Sequence, residues 1–180
     1  MKKAFIIPTL DNEVMLKALK KQVPKDFKTI VVRGKGVAEA WNIGLKKAEG
    51  YDYFIISNDD IELCDGWWDK FEEAFRKYHF VCLDTTFPIS GWFFAMDRYC
   101  FEKVGFFDEQ FEGYTSEDAD YAIRLKKAGI KIRKVDVPIK HYGSVTINKI
   151  PKNEFREVWN RNFIRLRKKH KDVRMTSQLI

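Results

Sequence analysis

At 180 residues, with 45% apolar and 15% aromatic side chains, the chain has room for one domain with a real core and is not a disordered segment. Its formal charge of +7 is uneven: residues 151–180 carry nine Lys/Arg against three Asp/Glu, a local +6, which leaves +1 for the first 150 residues. The basic balance therefore belongs to a tail and says little about the body. Cys64, Cys82 and Cys100 form no CxxC pair, and their odd number fits buried thiols in a reducing compartment better than a disulfide framework. Pro8 and Asp11 break the N-terminal apolar run after about five residues, short of the ~7–15 of a secretion signal. No apolar stretch approaches the ~20 residues of a membrane span. These features predict a soluble, cytoplasmic protein.

Along the first hundred residues, strand-like and helix-like periods alternate. Ala4–Ile7 is an apolar run ending at Pro8 and reads as a buried first strand. Leu16, Leu19 and Val23 recur at helical spacing, and Pro24 closes that helix. Thr29–Val32 is β-branched and runs into the turn residues Gly34 and Gly36. Ala38, Trp41, Leu45 and Ala48 form the next helical stripe, ending at Gly50. Tyr53–Ile56 is a third strand, and Trp67, Phe71, Ala74, Phe75 and Tyr78 give a third helix with a wide apolar face. Beyond it the pattern predicts strands at Phe80–Leu83 and Trp92–Met96, a helix at Ser116–Ala128 and a strand at Lys131–Val135. Strands alternating with helices imply βαβ units, with right-handed crossovers placing helices on both faces of the sheet. The tail residues Phe155, Val158, Trp159, Phe163 and Leu166 share one face of a helix over 152–170.

In open α/β sheets, ligands bind beyond the carboxyl ends of parallel strands. Here those ends are Pro8, Thr9 and Asp11; Arg33 with Gly34 and Gly36; and Ser57, Asn58, Asp59 and Asp60. A cation beside glycines, next to paired carboxylates, suits a nucleotide diphosphate with a divalent metal. Asn-Asp pairs after a strand are also common turn formers, but two adjacent carboxylates behind Phe54–Ile56 repel each other without a cation. Ser116-Glu117-Asp118 opens a helix, as ordinary capping acids do. Asp118 also shares the apolar face of Tyr121, Ala122 and Leu125, which is where a poised general base would stand, whereas Asp120 and Arg124 pair at i, i+4 elsewhere. His141 follows the last strand as a loop histidine or a further metal ligand.

The ordered set Ile7-Pro8-Thr9, Gly36-Val37-Ala38 with Trp41-Asn42-Ile43-Gly44, and Phe54 through Asp60 resembles glycosyltransferase family 2, of the GT-A fold. The likeness continues through Phe106-Phe107-Asp108-Glu109, Ser116-Glu117-Asp118-Ala119-Asp120, Arg124, Ala128-Gly129 and His141, covering roughly residues 4–145. Asn162-Phe163 and Lys168-Lys169-His170 are similar to the helix closing many short members. The resemblance implies a single-domain, Rossmann-like α/β fold: a mixed, mostly parallel sheet flanked by helices, with residues 1–150 catalytic and 151–180 a basic helical tail packed on them. It implies donor contacts at Pro8, Thr9, Asp11, Arg33, Asn42, Asn58 and Asp59, and an acceptor site at Gly91, Trp92 and Glu117. It further implies Mn²⁺ or Mg²⁺ at Asp59, Asp60 and His141, with Asp59 the final carboxylate of the DXD-type motif, and Asp118 as catalytic base. Two positions depart from the pattern. Arg33 replaces an acid that often contacts the nucleoside, and Ser57 replaces the first DXD carboxylate.

The expected activity is metal-dependent, inverting transfer of a sugar from a nucleotide-diphosphate sugar to an acceptor hydroxyl on a glycan, protein or lipid-linked acceptor. The alternatives are a sugar-nucleotide binder without transferase activity, or a nucleic-acid binder using the basic tail. Acids gathered at the strand ends would repel phosphates, so no nucleic acid is expected. A sugar-nucleotide pyrophosphorylase would want a long glycine-rich, basic loop near the first strand, which the sequence lacks. The tail helix has two readings: a stripe packed on the domain, or a peripheral membrane contact with aromatics on one face and Lys/Arg on the other.

Overall fold

The computed structural model describes residues 1–83, 88–143 and 150–173. Its elements run β1 (Lys3–Thr9), α1 (Glu13–Gln22), β2 (Phe27–Arg33), α2 (Val37–Lys47), β3 (Tyr53–Ser57), β4 (Ile61–Glu62) and α3 (Trp67–Phe75). They continue through β5 (Phe80–Leu83), β6 (Phe93–Asp97), α4 (Arg98–Val104), α5 (Glu117–Lys127), β7 (Ile132–Val135), β8 (Lys140–His141) and α6 (Lys152–Lys169). Each strand and helix read from periodicity appears within a few residues of its predicted bounds. Periodicity did not reveal α4, β4 and β8. The helix α4 is seven residues long and is started by Asp97, whose carboxylate accepts from the Cys100 backbone N–H at 2.8 Å. The other two are two-residue strands, too short to carry a period. Arg174, one of the nine basic residues of the tail, lies outside the described residues.

Six strands form one sheet in the order β2-β1-β3-β6-β5-β7. The strand β1 pairs parallel with β2 and β3, and β5 pairs parallel with β7. Only β6 runs against its neighbours, antiparallel to both β3 and β5. The sheet is thus mixed and mostly parallel. A separate two-stranded ladder joins β4 to β8.

Every-second-residue alternation assigns the two cores. Ala4 and Ile6 of β1 join Trp41, Phe54, Phe94, Tyr121 and Leu125 under α2, α4 and α5. Phe5 and Ile7 join Leu16, Leu19, Ile55, Trp67, Phe71 and Phe93 under α1 and α3. The strand β1 is buried on both faces, as expected of a central parallel strand. The helix α6 adds an outer patch, in which Leu166 packs on Phe111 and Ile123.

The helix α2 lies close on β1 because Gly44 has no side chain: a Cβ there would come within 2.2 Å of Ile6 Cγ2. Gly44→Ala gains helix propensity but overpacks a fully buried contact. Urea unfolding is expected to show a net loss of about 1–3 kcal/mol.

Candidate active site

The strands β1, β2 and β3 all end at one edge of the sheet, and antiparallel β6 begins there. Side chains from distant parts of the chain therefore meet at this edge. The Asn58 backbone N–H donates to the Trp92 carbonyl at 2.8 Å. The His141 ring stacks on the Trp92 indole, with centroids 4.4 Å apart and planes 12° from parallel. His141 Nε2 is buried, makes no hydrogen bond, and stands 3.2 Å from Asp60 Oδ1. The β4–β8 ladder sets this opposition by pairing Ile61 with His141, and the Tyr142 N–H donates to the Asp60 carbonyl at 2.9 Å.

Asp59 plays a different part. Its buried carboxylate accepts the Thr9 hydroxyl, which ties the ends of β1 and β3 together. Burial pushes its pKa up against the opposing Thr9 bond, and the neighbouring Asp60 charge pushes it further. Among the described residues, no three His, Cys, Asp or Glu side chains surround a common point that could hold an ion. The expected trio thus resolves into an Asp60–His141 pair, with Asp59 turned to Thr9. The sequence reading gave Asp59 the leading role; the cross-ladder register places Asp60, rather than Asp59, opposite His141. The unbonded His141 Nε2 and the Asp60 carboxylate 3.2 Å from it are of the donor types that could supply two protein ligands to a divalent cation whose other positions a diphosphate would fill.

The remaining donor-side residues separate in the same way. Pro8 and Thr9 stand at the end of β1 beside Asp59, and Asp11 is exposed in the turn into α1. Arg33, at the end of β2, forks onto Glu13 of α1 with both terminal nitrogens. Asn42 supports a loop. Its amide nitrogen donates to the Phe107 carbonyl at 2.9 Å and to Glu109 Oε1 at 2.8 Å, and its oxygen accepts from the Phe107 N–H at 2.9 Å. Both amide hydrogens and the oxygen are thereby engaged, so Asn42 pins the loop before α5 rather than a ligand.

That loop delivers the second half of the site. Its Glu112–Thr115 stretch is held by Asn162 of α6, whose amide donates to the Glu112 carbonyl at 2.8 Å and the Thr115 carbonyl at 2.9 Å. Ser116 then takes φ of 72°, the one positive φ outside glycine among the described residues. Strain of this kind persists only where surrounding contacts enforce it. It aims the first turn of α5 at Gly91. Asp118 Oδ2 lies so near that a Cβ on Gly91 would come within 2.9 Å of it. Glu117 is buried, and its Oε2 has no hydrogen-bond partner. Burial raises the Glu117 pKa well above the usual glutamate range, with the Asp118 charge adding to it. Burial also raises Asp118, opposed by the Ala119 N–H bond to Oδ1 at 2.7 Å. Gly91-Trp92 therefore joins the two halves: Gly91 touches the base candidate and Trp92 touches Asn58 and His141.

Of the two readings of the α6 stripe, packed on the domain or facing a membrane, the structure has it packed, turned onto the head of α5. Sequence reasoning missed only which surface it would cover. Phe155, Trp159 and Phe163 line a cavity of about 340 Å³ together with Tyr114, Glu117 and Asp118. Among the described residues, no helix is long and apolar enough to cross a membrane. The Asp120–Arg124 pair forms, at 2.8 Å, but Asp120 is wholly buried and also receives His170 Nε2 at 2.8 Å and Lys169 Nζ at 2.7 Å from the end of α6. The run Lys168-Lys169-His170 was the available signal, and which helix it would meet is not readable from spacing.

The Glu117 carboxyl has a testable consequence for stability. Its folded pKa is raised, so the folded protein keeps a proton that the unfolded chain releases. Stability then falls as pH rises from the ordinary glutamate value through the folded one. Glu117→Gln removes that effect. Thermal melts are expected to show the variant more stable than the parent at pH 8 by at least about 2 °C. The two curves should converge near pH 4, about where glutamate titrates in unfolded chains.

Residues 74–147, less than half of the chain, match the family described as the N-terminal domain of galactosyltransferase. No curated protein matches by sequence. Solved structures do match by shape. The catalytic domain of Drosophila beta1,4-galactosyltransferase 7, complexed with xylobiose, is 18% identical with a TM-score of 0.57, and the likeness covers 74% of this chain and 64% of that one. A mutant of the same enzyme with manganese, UDP-Gal and xylobiose is 16% identical with a TM-score of 0.59, covering 86% of this chain and 78% of that one. GalNAc-T7 with UDP, GalNAc and Mn²⁺ is 12% identical with a TM-score of 0.64, covering 93% of this chain but 48% of that one. The chain thus spans less than two thirds of the first and last of these structures. The structural likeness, with the partial family match, shows that the chain has a GT-A-like fold, the fold of these glycosyltransferase structures.

Proposed function

We propose that the protein transfers a sugar from a nucleotide-diphosphate sugar to an acceptor hydroxyl, with inversion, in the presence of Mn²⁺ or Mg²⁺. One observation carries this reading. The dipeptide Gly91-Trp92 links Asp118, which with Glu117 forms an acid pair without a cation partner among the described residues, to the strand ends that bear Asp60 and His141. The relatives in complex with UDP, UDP-Gal and Mn²⁺ support the same donor and metal classes.

In this reading, the ends of β1 and β2 take the nucleoside, with Thr9 and Arg33 nearest. Asp60 and His141 would hold the cation, whose chemistry when bound is to offset charge on the departing diphosphate. One imidazole ligand favours Mn²⁺ over Mg²⁺. Asp118 takes the proton from the acceptor hydroxyl as that oxygen attacks the anomeric carbon. The bond from the anomeric carbon to the diphosphate oxygen breaks, and its electron pair leaves with the nucleotide. Attack opposite the leaving group inverts the anomeric configuration. Burial raises both acids, so the pair can share one proton, with a protonated carboxyl hydrogen-bonding the acceptor while Asp118 acts as the base.

Asp118→Asn is nearly isosteric and is expected to cut turnover roughly 10²–10⁴-fold, with donor affinity unchanged. In the parent, kcat/KM should fall on the acid side of a midpoint above the ordinary aspartate value of about 3.9, because burial raises Asp118 and only its ionised form accepts a proton. Normal transfer by Asp118→Asn would leave that residue a helix-start acid only. For the metal, calorimetry of UDP with and without Mn²⁺ is expected to lose its Mn²⁺-dependent component in Asp60→Asn and in His141→Ala. An unchanged Mn²⁺ effect in both variants would remove the assignment.

A further inference from the structure

We propose that the face of α6 turned toward α5 is the acceptor subsite, and that it takes a neutral saccharide ring stacked on Trp159 and Phe155 with a hydroxyl directed at Asp118. This inference rests on the transfer reading above and adds to it the chemical class of the acceptor. The cavity is about 340 Å³, at the small end of the ~300–1,000 Å³ typical of ligand pockets. Its walls and floor differ in chemistry, and the difference selects the ligand.

The walls are flat aromatic planes. Tyr114 and Phe155 lie 5° from parallel with centroids 6.0 Å apart, and Trp159 and Phe163 lie 9° from parallel at 5.2 Å. All four side chains are half-buried, so their rings are held in place yet keep open area. A pyranose ring has one face of C–H bonds that matches such a plane, and desolvating both surfaces is favourable. The floor is polar: Glu117 and Asp118, with Thr115 and Ser116 beside them. Glu117 is 6% exposed, lines the cavity, and has an oxygen with no hydrogen-bond partner, a costly state that a ligand hydroxyl would relieve. An alkyl chain would leave that oxygen unsatisfied. An anionic ligand meets two carboxyl groups and no compensating cation, since no lysine or arginine is among the described residues lining the cavity. Of the basic side chains of α6, Lys152, Arg156, Arg161 and Arg167 are exposed, and Arg165 and Lys169 are engaged by Gln110, Asp108 and Asp120 outside the cavity lining. What remains is a ligand that is flat and apolar on one face, rich in hydroxyls at its edge and uncharged.

The test is ¹⁹F NMR of the full chain carrying 5-fluorotryptophan, with the Trp159 resonance assigned as the one missing from Trp159→Phe. Lactose, cellobiose and maltose are titrated as neutral probes, glucose 6-phosphate as an anionic probe and 1-octanol as an apolar one, all with UDP and Mn²⁺ present. A saturable shift of the Trp159 resonance by at least one neutral disaccharide is expected, with glucose 6-phosphate and 1-octanol leaving it unmoved. Phe155→Ala, near the start of α6 where truncation perturbs the fold least, should weaken that disaccharide at least tenfold. The proposal is overturned if 1-octanol or glucose 6-phosphate moves the Trp159 resonance and no disaccharide does. It is also overturned if a disaccharide binds without moving that resonance, or if none binds. UDP affinity, read in the same samples, reports separately on the transfer reading. Saccharide binding at Trp159 without UDP binding would keep the subsite and remove the donor assignment.

Discussion

The arrangement depends on one strand running the wrong way. In a fully parallel sheet, the residues before β6 would lie at the edge remote from the ends of β1, β2 and β3. Because β6 is antiparallel to β3, its first residue, Phe93, pairs with Ser57, the last residue of β3. Gly91-Trp92 is thereby delivered to the edge where the parallel strands terminate. Every contact that unites the site follows from it: Asn58 on the Trp92 carbonyl, His141 on the Trp92 ring, Asp118 against Gly91.

Around that edge the chain holds its acids in two distinct ways. Asp59 and Asp120 are satisfied structurally, Asp59 by Thr9, and Asp120 by Arg124, Lys169 and His170. Removing a partner from such a buried carboxylate is costly, which makes them fold anchors. Glu117 and Asp118 have no cation partner among the described residues, and burial raises both pKa values. Enclosed acids with raised pKa values and space in front of them are the arrangement that proton transfer requires. Acids two positions apart on α5 thus stand in opposite environments, and the difference is the set of cations, Arg124 of α5 and Lys169 with His170 from the end of α6, that reach Asp120.

The helix α6 links these roles. Through Asn162 it fixes the turn that strains Ser116, through Lys169 and His170 it neutralises Asp120, and through Phe155, Trp159 and Phe163 it walls the cavity above the acid pair. A helix with an excess of basic residues and an aromatic stripe is therefore integrated into the site rather than appended to the domain.

The alternation of apolar runs and helical stripes was enough to place β1, β2, β3, β5, β6 and β7 and the longer helices, because a buried parallel strand and an amphipathic helix each leave a local period. The strand-end residues Thr9, Asn58, Asp60 and His141, and the pair Glu117–Asp118, were legible from position along that pattern. Three things were decided only in the folded chain. The direction of β6 depends on pairing between segments some forty residues apart, which no local period encodes. The choice of Asp60 over Asp59 opposite His141 depends on the β4–β8 register, set by two strands of two residues each. The use of α6's aromatic face depends on what lies across from it, since an amphipathic stripe specifies that it will be covered and leaves the covering surface to tertiary packing.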